Sequence, residues 1–380
     1  MREEARNVEN KSIESQKGRM DYSLLIVIIF LVCFGLIMIY STSSYEAQMK
    51  FNDASFYLKK QIFATAIGIV AMLAISRIDY HFWKRFAVVA YFATIVCILL
   101  VKSPIGIEAN GASRWIGVGP LSFQPAELAK LAVILFLAVY ISKKRDRINE
   151  PKYYMTVAGL VLLVAGLIVI VTSNLSSAII VLGIAFIMLF IASKNYKKYI
   201  FSVVIVAVVG GAVLFLVGGY RLQRIQVWLN PEAYAQDGGF QTLQALYAIG
   251  SGGLFGKGLG QSVQKLGFVP EAQNDMIFSI ICEELGLFGG IAIIILFAFM
   301  IWRFVSIATK APDLYGSLIV VGVMAHISLQ VILNVAVVTN TIPNTGITLP
   351  FISYGGTSVL FLMAEMGLAL SVSKGSNKLR

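Results

Sequence analysis

Few ionisable residues of this chain stand in apolar surroundings, and those few are where chemistry could be done. Glu127 and Lys130 lie three residues apart in Phe123-Gln124-Pro125-Ala126-Glu127-Leu128-Ala129-Lys130. Pro125 suits the first turn of a helix, with Gln124 extended before it. The two charges then share one helical face, about one turn in. One reading is an ion pair near an interface, with Lys130 reaching outward. The other is functional, because ionisable groups inside a membrane span cost about 2.5–3.5 kcal/mol each on insertion scales and mark pathways or sites. Arg114, beside Trp115 in Gly111-Ala112-Ser113-Arg114-Trp115-Ile116, offers planar forked donors that could hold a phosphate.

A second group lies further on, in Gly238-Gly239-Phe240-Gln241, Gly250-Ser251-Gly252-Gly253, Gly256-Lys257-Gly258-Leu259-Gly260 and Pro270-Glu271-Ala272-Gln273-Asn274-Asp275. Glycines let backbone N–H groups approach an anion, and Lys257 would add charge. The run also reads as ordinary loop punctuation, and with no strand–turn–helix unit around it, it is no nucleotide fingerprint. Asp275 stands where this stretch enters an apolar run. An acidic residue there complements the helix dipole, with Asn274 as cap. It is equally placed to act as a general base. The dipole would lower its pKa and burial would raise it. Glu283, Glu284 and Glu365 lie deeper in apolar runs and are expected to pair with polar groups.

The elements that carry these residues follow from composition. Of 380 residues 58% are hydrophobic and 13% charged, and the mean hydropathy is +0.79. A soluble domain of this size could not hide that much apolar surface. In lipid, long apolar runs must close their backbone hydrogen bonds internally, as helices. The expected fold is an all-α polytopic membrane protein of about ten spans. The runs are 24–40, 62–78, 86–101, 126–141, 157–171, 177–191, 200–217, 276–302, 318–338 and 358–372. The formal charge of +11 would suggest nucleic acid in a soluble protein. Here the basic residues sit in short clusters between spans, where they set topology, and no nucleic acid is expected. Placing the majority of the 31 Lys and Arg on the cytoplasmic side makes both termini cytoplasmic. Cys33, Cys97 and Cys282 fall within apolar runs and read as packing residues, not as a disulfide or metal set. The first stretch lacks a cleavable-signal layout, so the first span is expected to remain as an anchor.

The domain reading is a cytoplasmic tail at 1–20, one membrane domain at 21–374 and a short tail at 375–380. An extracytoplasmic loop at 218–275, between spans seven and eight, is longer than a connection requires. Lys102 to Gln124 and the charge-free stretch Val338 to Thr357 are the other outer loops.

Taken in order, Arg114-Trp115-Ile116, Phe123 to Lys130, Gly250 to Gly260, Pro270 to Phe278 with Glu283-Glu284-Leu285-Gly286, and Leu349-Pro350-Phe351-Ile352-Ser353-Tyr354-Gly355-Gly356-Thr357-Ser358 resemble the SEDS family (shape, elongation, division and sporulation), the FtsW/RodA/SpoVE proteins. The likeness spans nearly the whole chain. The stretch from Gly346 to Tyr354 is similar to the division and sporulation branch. The resemblance implies a peptidoglycan glycosyltransferase of the bacterial inner membrane that polymerises lipid II, with Asp275 matching the family's essential aspartate. It implies substrate contacts at Arg114, Glu127, Lys130, Lys257, Glu271, Ser353 and Thr357. No certain cofactor follows, and a divalent cation, Mg or Mn, is the candidate helper. The implied partner is a class B penicillin-binding protein, a transpeptidase.

Two departures stand out. Gln273 occupies a position where the family often has His, and Ser173-Asn174-Leu175-Ser176-Ser177 replaces the Pro-Asp-Leu-Gly-Thr of many members. A lipid II translocase without chemistry, or a scaffold for a transpeptidase, are the competing expectations. The gathering of polar residues at one face favours an enzyme, since translocation would want them through the whole depth.

Overall fold

The computed structural model describes residues 20–109, 112–118, 121–148, 150–193, 200–201, 220–236 and 238–376. Outside them lie residues 1–19 of the expected tail 1–20, nearly all of the seventh span, and Lys194, Lys197 and Lys198, expected on the cytoplasmic side. The other nine expected spans are helices: α1 (Tyr22–Phe51), α2 (Phe56–Arg77), α3 (Ala87–Leu100), α4 (Pro125–Lys143), α5 (Pro151–Thr172), α6 (Leu175–Ala192), α9 (Ile277–Thr309), α10 (Leu314–Val338) and α11 (Gly356–Ser376). Among the described residues, eight are long and apolar enough to cross a membrane, and α3 is a shorter apolar helix.

Their starts are written locally. Asp21 Oδ1 accepts from Leu24 N at 2.9 Å, Asn174 caps α6 through Ser177 N at 3.0 Å, and Asp313 caps α10 through Gly316 N at 2.7 Å. Pro125 and Pro151 open α4 and α5.

Two contacts gauge the bundle. Asp21, at the start of α1, pairs with Arg303 near the end of α9 at 2.5 Å. Twenty residues along α1, Ser41 meets Glu284 of α9 at 2.7 Å. At 1.5 Å per residue the two contacts are about 30 Å apart along the helices, the thickness of a hydrocarbon core. Asp275 therefore lies beyond the Ser41–Glu284 level, towards the loop end.

Among its described residues the expected loop 218–275 contains two α-helices, α7 (Tyr220–Leu229) and α8 (Phe240–Gly252), followed by the glycine run. That run repairs a break in α9, where Gly286 has φ 69° and ψ −171°. The freed carbonyls of Glu283 and Glu284 accept from Lys257 N and Gly258 N, each at 2.9 Å. The freed Leu287 N and Phe288 N donate to Gly253 O at 2.9 Å and Leu254 O at 3.2 Å. A side chain would not fit, since a Cβ on Gly256 would stand 2.2 Å from Glu284 O. Gly252 and Gly256 are therefore there for close backbone approach, and the Lys257 and Gly258 N–H groups belong to carbonyls instead of cradling an anion. Leu254, Phe255 and Leu259 are exposed, as residues facing lipid at this level would be.

The fold is not wholly helical. Between α3 and α4 lies a three-stranded antiparallel sheet, β1 (Gly106–Ala109), β2 (Ala112–Val118) and β3 (Leu121–Phe123), in the order β1-β2-β3. Gly106 pairs with Ile116, and Ile116 with Phe123.

Candidate functional site

Asp275 lies two residues before α9 and is buried. Three segments close around it. Asn334 of α10, wholly buried, donates one amide hydrogen to Asp275 O and one to Ile347 O, both at 2.7 Å. The loop after α10 is thereby clamped to the approach of α9, and Tyr354 N adds a second link to Gln273 O at 2.8 Å. Gly346, at φ 68°, lies so close that a Cβ there would stand 3.8 Å from Asp275 Oδ2. From the third side Gln241, at the start of α8, points its Nε2 at Asp275 Oδ1 at 3.5 Å and at Pro270 O at 3.3 Å.

Burial pushes the Asp275 pKa from 3.8 up to about 7, and the neighbouring Glu271 charge pushes the same way. The backbone N–H groups of Asp275 and Met276 and the charge of Arg224 work against them. A carboxylate that gives up its proton near neutral pH is tuned to take one from a substrate there.

Beside Gln241 a cavity of about 280 Å³ opens between α7, the start of α8 and residues 340–344. Arg224, Trp228, Gln241, Thr242, Asn340 and Asn344 line it. Its walls are braced: Trp228 Nε1 donates to Asn340 O at 3.0 Å, Arg224 Nη1 to Asn344 O at 2.9 Å, and Asn344 Nδ2 to Gln241 Oε1 at 2.9 Å.

The other residues singled out from the sequence are spread across the molecule. Glu271 is exposed beside Asp275, at φ 55°, and accepts from Asn274 Nδ2. Lys130 and Glu127 form a buried ion pair at 2.6 Å, and Ser358 Oγ donates to Glu127 Oε2 at 3.2 Å. Lys130 thus turns into the protein and does not reach outward. Thr357, at the same helix start, has a buried Oγ1 with no partner among the described residues. Lys257 Nζ is held by Glu283 at 2.7 Å. Arg114 donates to Thr172 O at 3.4 Å and Ser173 O at 3.3 Å, closing the end of α5 where carbonyls point out. Ser353 Oγ accepts from Leu349 N at 2.8 Å, inside its own turn. Gln273, in place of histidine, is tied to Glu46 Oε2 at 3.0 Å. Glu365 pairs with His326 Nδ1 at 2.8 Å, as its depth led one to expect.

Sequence reasoning gave Gln241 no role of its own within the second group, and passed over Arg224, Trp228, Asn344 and Asn334. For Asn334 there was a signal: with His326 and Gln330 it repeats every four residues in an otherwise apolar span, which puts three polar groups on one face. The others lie on a connection, where no periodicity marks them.

Among the described residues no three His, Cys, Asp or Glu side chains converge to ligate a metal. Mg and Mn are met elsewhere by one or two carboxylates together with substrate phosphates. Glu271, exposed beside Asp275, is the carboxylate that fits such an ion.

A family model described as cell cycle protein, FtsW/RodA/SpoVE, matches residues 22–378. The chain is 40% identical over 363 residues to stage V sporulation protein E of Bacillus subtilis, a match covering 95% of this chain and 99% of that protein. It is 38% identical over 358 residues to a probable peptidoglycan glycosyltransferase FtsW of a Geobacter species, covering 93% and 96%. Among solved structures, it superimposes with a TM-score of 0.79 and 26% identity on a chain from a study of how a peptidoglycan synthase complex coordinates polymerization and crosslinking, covering 94% and 98%. The rod shape determining protein RodA of Thermus thermophilus matches with a TM-score of 0.69 and 26% identity, covering 93% and 96%.

Proposed function

The chain belongs to the FtsW/RodA/SpoVE family, and from that premise we propose that it polymerises lipid II, with Asp275 as general base. It is a multi-pass protein of the bacterial inner membrane and a peptidoglycan glycosyltransferase whose named relatives serve sporulation and division. The observation that carries the mechanism is Asp275 itself, buried beside a polar cavity with its pKa pushed up to about 7.

The carboxylate takes the proton from a sugar hydroxyl of the acceptor. The oxygen attacks C1 of the lipid-linked donor, and the bond from C1 to the undecaprenyl pyrophosphate breaks with inversion. One base and no covalent intermediate are needed. A Mg or Mn ion held at Glu271 would supply charge neutralisation for the pyrophosphate. Glu127, Lys130 and Thr357 stand as substrate contacts in this reading. Arg114, Lys257 and Ser353, bound to Thr172, Glu283 and Leu349, serve it by holding the fold.

We place the reaction at the outer face and assign the crosslinking partner to a class B penicillin-binding protein; the solved synthase complex supports a partner of that kind. The test is polymer formation from lipid II by the purified chain in detergent, with and without that partner. Glycan product is expected. Lipid II binding without product under both conditions would overturn the reading in favour of translocation.

A further inference from the structure

We infer that the cavity between α7, α8 and residues 340–344 is a subsite for a single N-acetylated sugar ring, the ring whose hydroxyl Asp275 deprotonates. The inference rests on the polymerase reading for the ring's role, and on the cavity alone for its chemistry.

Apart from Arg224 the described lining is neutral, and its amides are doubly functional. Gln241, Asn340 and Asn344 present amides, and Thr242 a hydroxyl. An amide side chain carries donors and an acceptor in one plane. Vicinal hydroxyls and an acetamido group each need both. Trp228 supplies an aromatic ring, whose electron-rich face suits the weakly positive C–H face of a pyranose. Among the described residues no carboxylate lines the cavity, and the one cation there is Arg224, which donates to Asn344 O at 2.9 Å. A pyrophosphate would call for several charge-assisted donors. The lining is therefore wrong for the leaving group and right for a sugar.

Size narrows the choice. At about 280 Å³ the cavity is matched to one ring, and a second sugar of the same chain would lie outside it. Its walls are already braced by the Trp228–Asn340 and Asn344–Gln241 hydrogen bonds, which lowers the ordering cost on binding.

Position assigns the ring to the acceptor. Gln241 is the wall shared by the cavity and the base: its Oε1 accepts from Asn344, and its Nε2 reaches Asp275 Oδ1 at 3.5 Å. A ring seated against Gln241 has its hydroxyls one amide away from the carboxylate. Gln241 is thus a positioning residue that sets ring and base relative to one another.

The experiment uses the full-length chain in detergent with N-acetylglucosamine as probe, read by saturation-transfer NMR, alongside polymerisation assays on the same preparations. Wild type and Asp275→Asn should bind the probe equally. Trp228→Ala and Asn344→Ala should weaken it about fivefold or more, Trp228→Phe should bind within about threefold of wild type, and glucose, lacking the acetamido group, should bind several-fold worse. Should Trp228→Ala fail to fold, Asn344→Ala and the glucose comparison decide. Absence of binding by wild type, binding unchanged in Asn344→Ala, or displacement of the probe by inorganic pyrophosphate would each overturn the subsite. A wild type that binds the probe through these residues but makes no polymer removes the polymerase reading and leaves the sugar site standing. Polymer without probe binding does the reverse.

Discussion

Asp275 and the Glu283–Glu284 pair are buried carboxylates within one short stretch of chain, yet they are surrounded in opposite ways. Glu283 draws Lys257 Nζ at 2.7 Å, Ser262 Oγ and Val263 N at 3.2 Å. Glu284 draws Lys265 Nζ at 2.8 Å and Ser41 Oγ at 2.7 Å. Asp275 has a neutral amide at 3.5 Å and nearby backbone N–H groups, with Glu271 as a like charge beside it. A buried charge given cations and hydroxyls becomes a strut between elements, here α9, α1 and the glycine run. One given little becomes a base, because its charged form is kept costly until a proton is on offer.

The sharpest way to break this contrast is Glu284→Ala. It leaves Lys265 buried without its partner, and thermal unfolding in detergent should show a loss of about 3–5 kcal/mol. Unchanged stability would mean that the pair is no strut. Asp275→Asn should do the opposite: polymerisation falls on the order of 10²-fold or more, while lipid II binding stays near wild type and stability at neutral pH does not fall. A purified Asp275→Asn protein working at the normal rate would remove the base assignment, and the base would have to be sought at Glu271, Glu127 or Asp237, the last of which lies outside the described residues.

Glu127 and Lys130 test the middle ground, since they are a closed, buried pair that the proposed reading nonetheless makes a substrate contact. Either single alanine should impair polymerisation, and the double variant should be little worse than either, with a coupling of about 0.5–3 kcal/mol in a double-mutant cycle. Losses that simply add would show two independent residues.

The smallest effect is in pH. Activity should rise as Asp275 loses its proton, with the acid limb of kcat/KM near about 7. Glu271 holds that value up, so Glu271→Gln should move the limb to lower pH; a limb that stays in place would detach Glu271 from the base. Stability carries the matching sign. The folded pKa lies above the ordinary 3.8, so folding weakens as pH rises from about 4 to about 7, and Asp275→Asn should flatten that slope.

What the sequence determined by itself was local or compositional. Hydropathy marked nine of the described apolar helices, with α4 and α9 beginning one residue from where the runs suggested, because a span must satisfy its own backbone wherever it goes. The Glu127–Lys130 pair was legible because three residues along a helix are neighbours on any helix. Asp275 stood out through the resemblance and through its place at a helix start. Only the tertiary structure decided which groups meet across long separations. It put Lys257 on Glu283, Arg114 on Thr172, and Gln241, 34 residues away, on Asp275. It turned an apparent anion loop into the splice for a helix broken at Gly286, and made a small sheet of 106–123. Periodicity records which face a residue occupies; it carries no record of which distant segment will be packed against that face, and a catalytic environment is made of such distant neighbours.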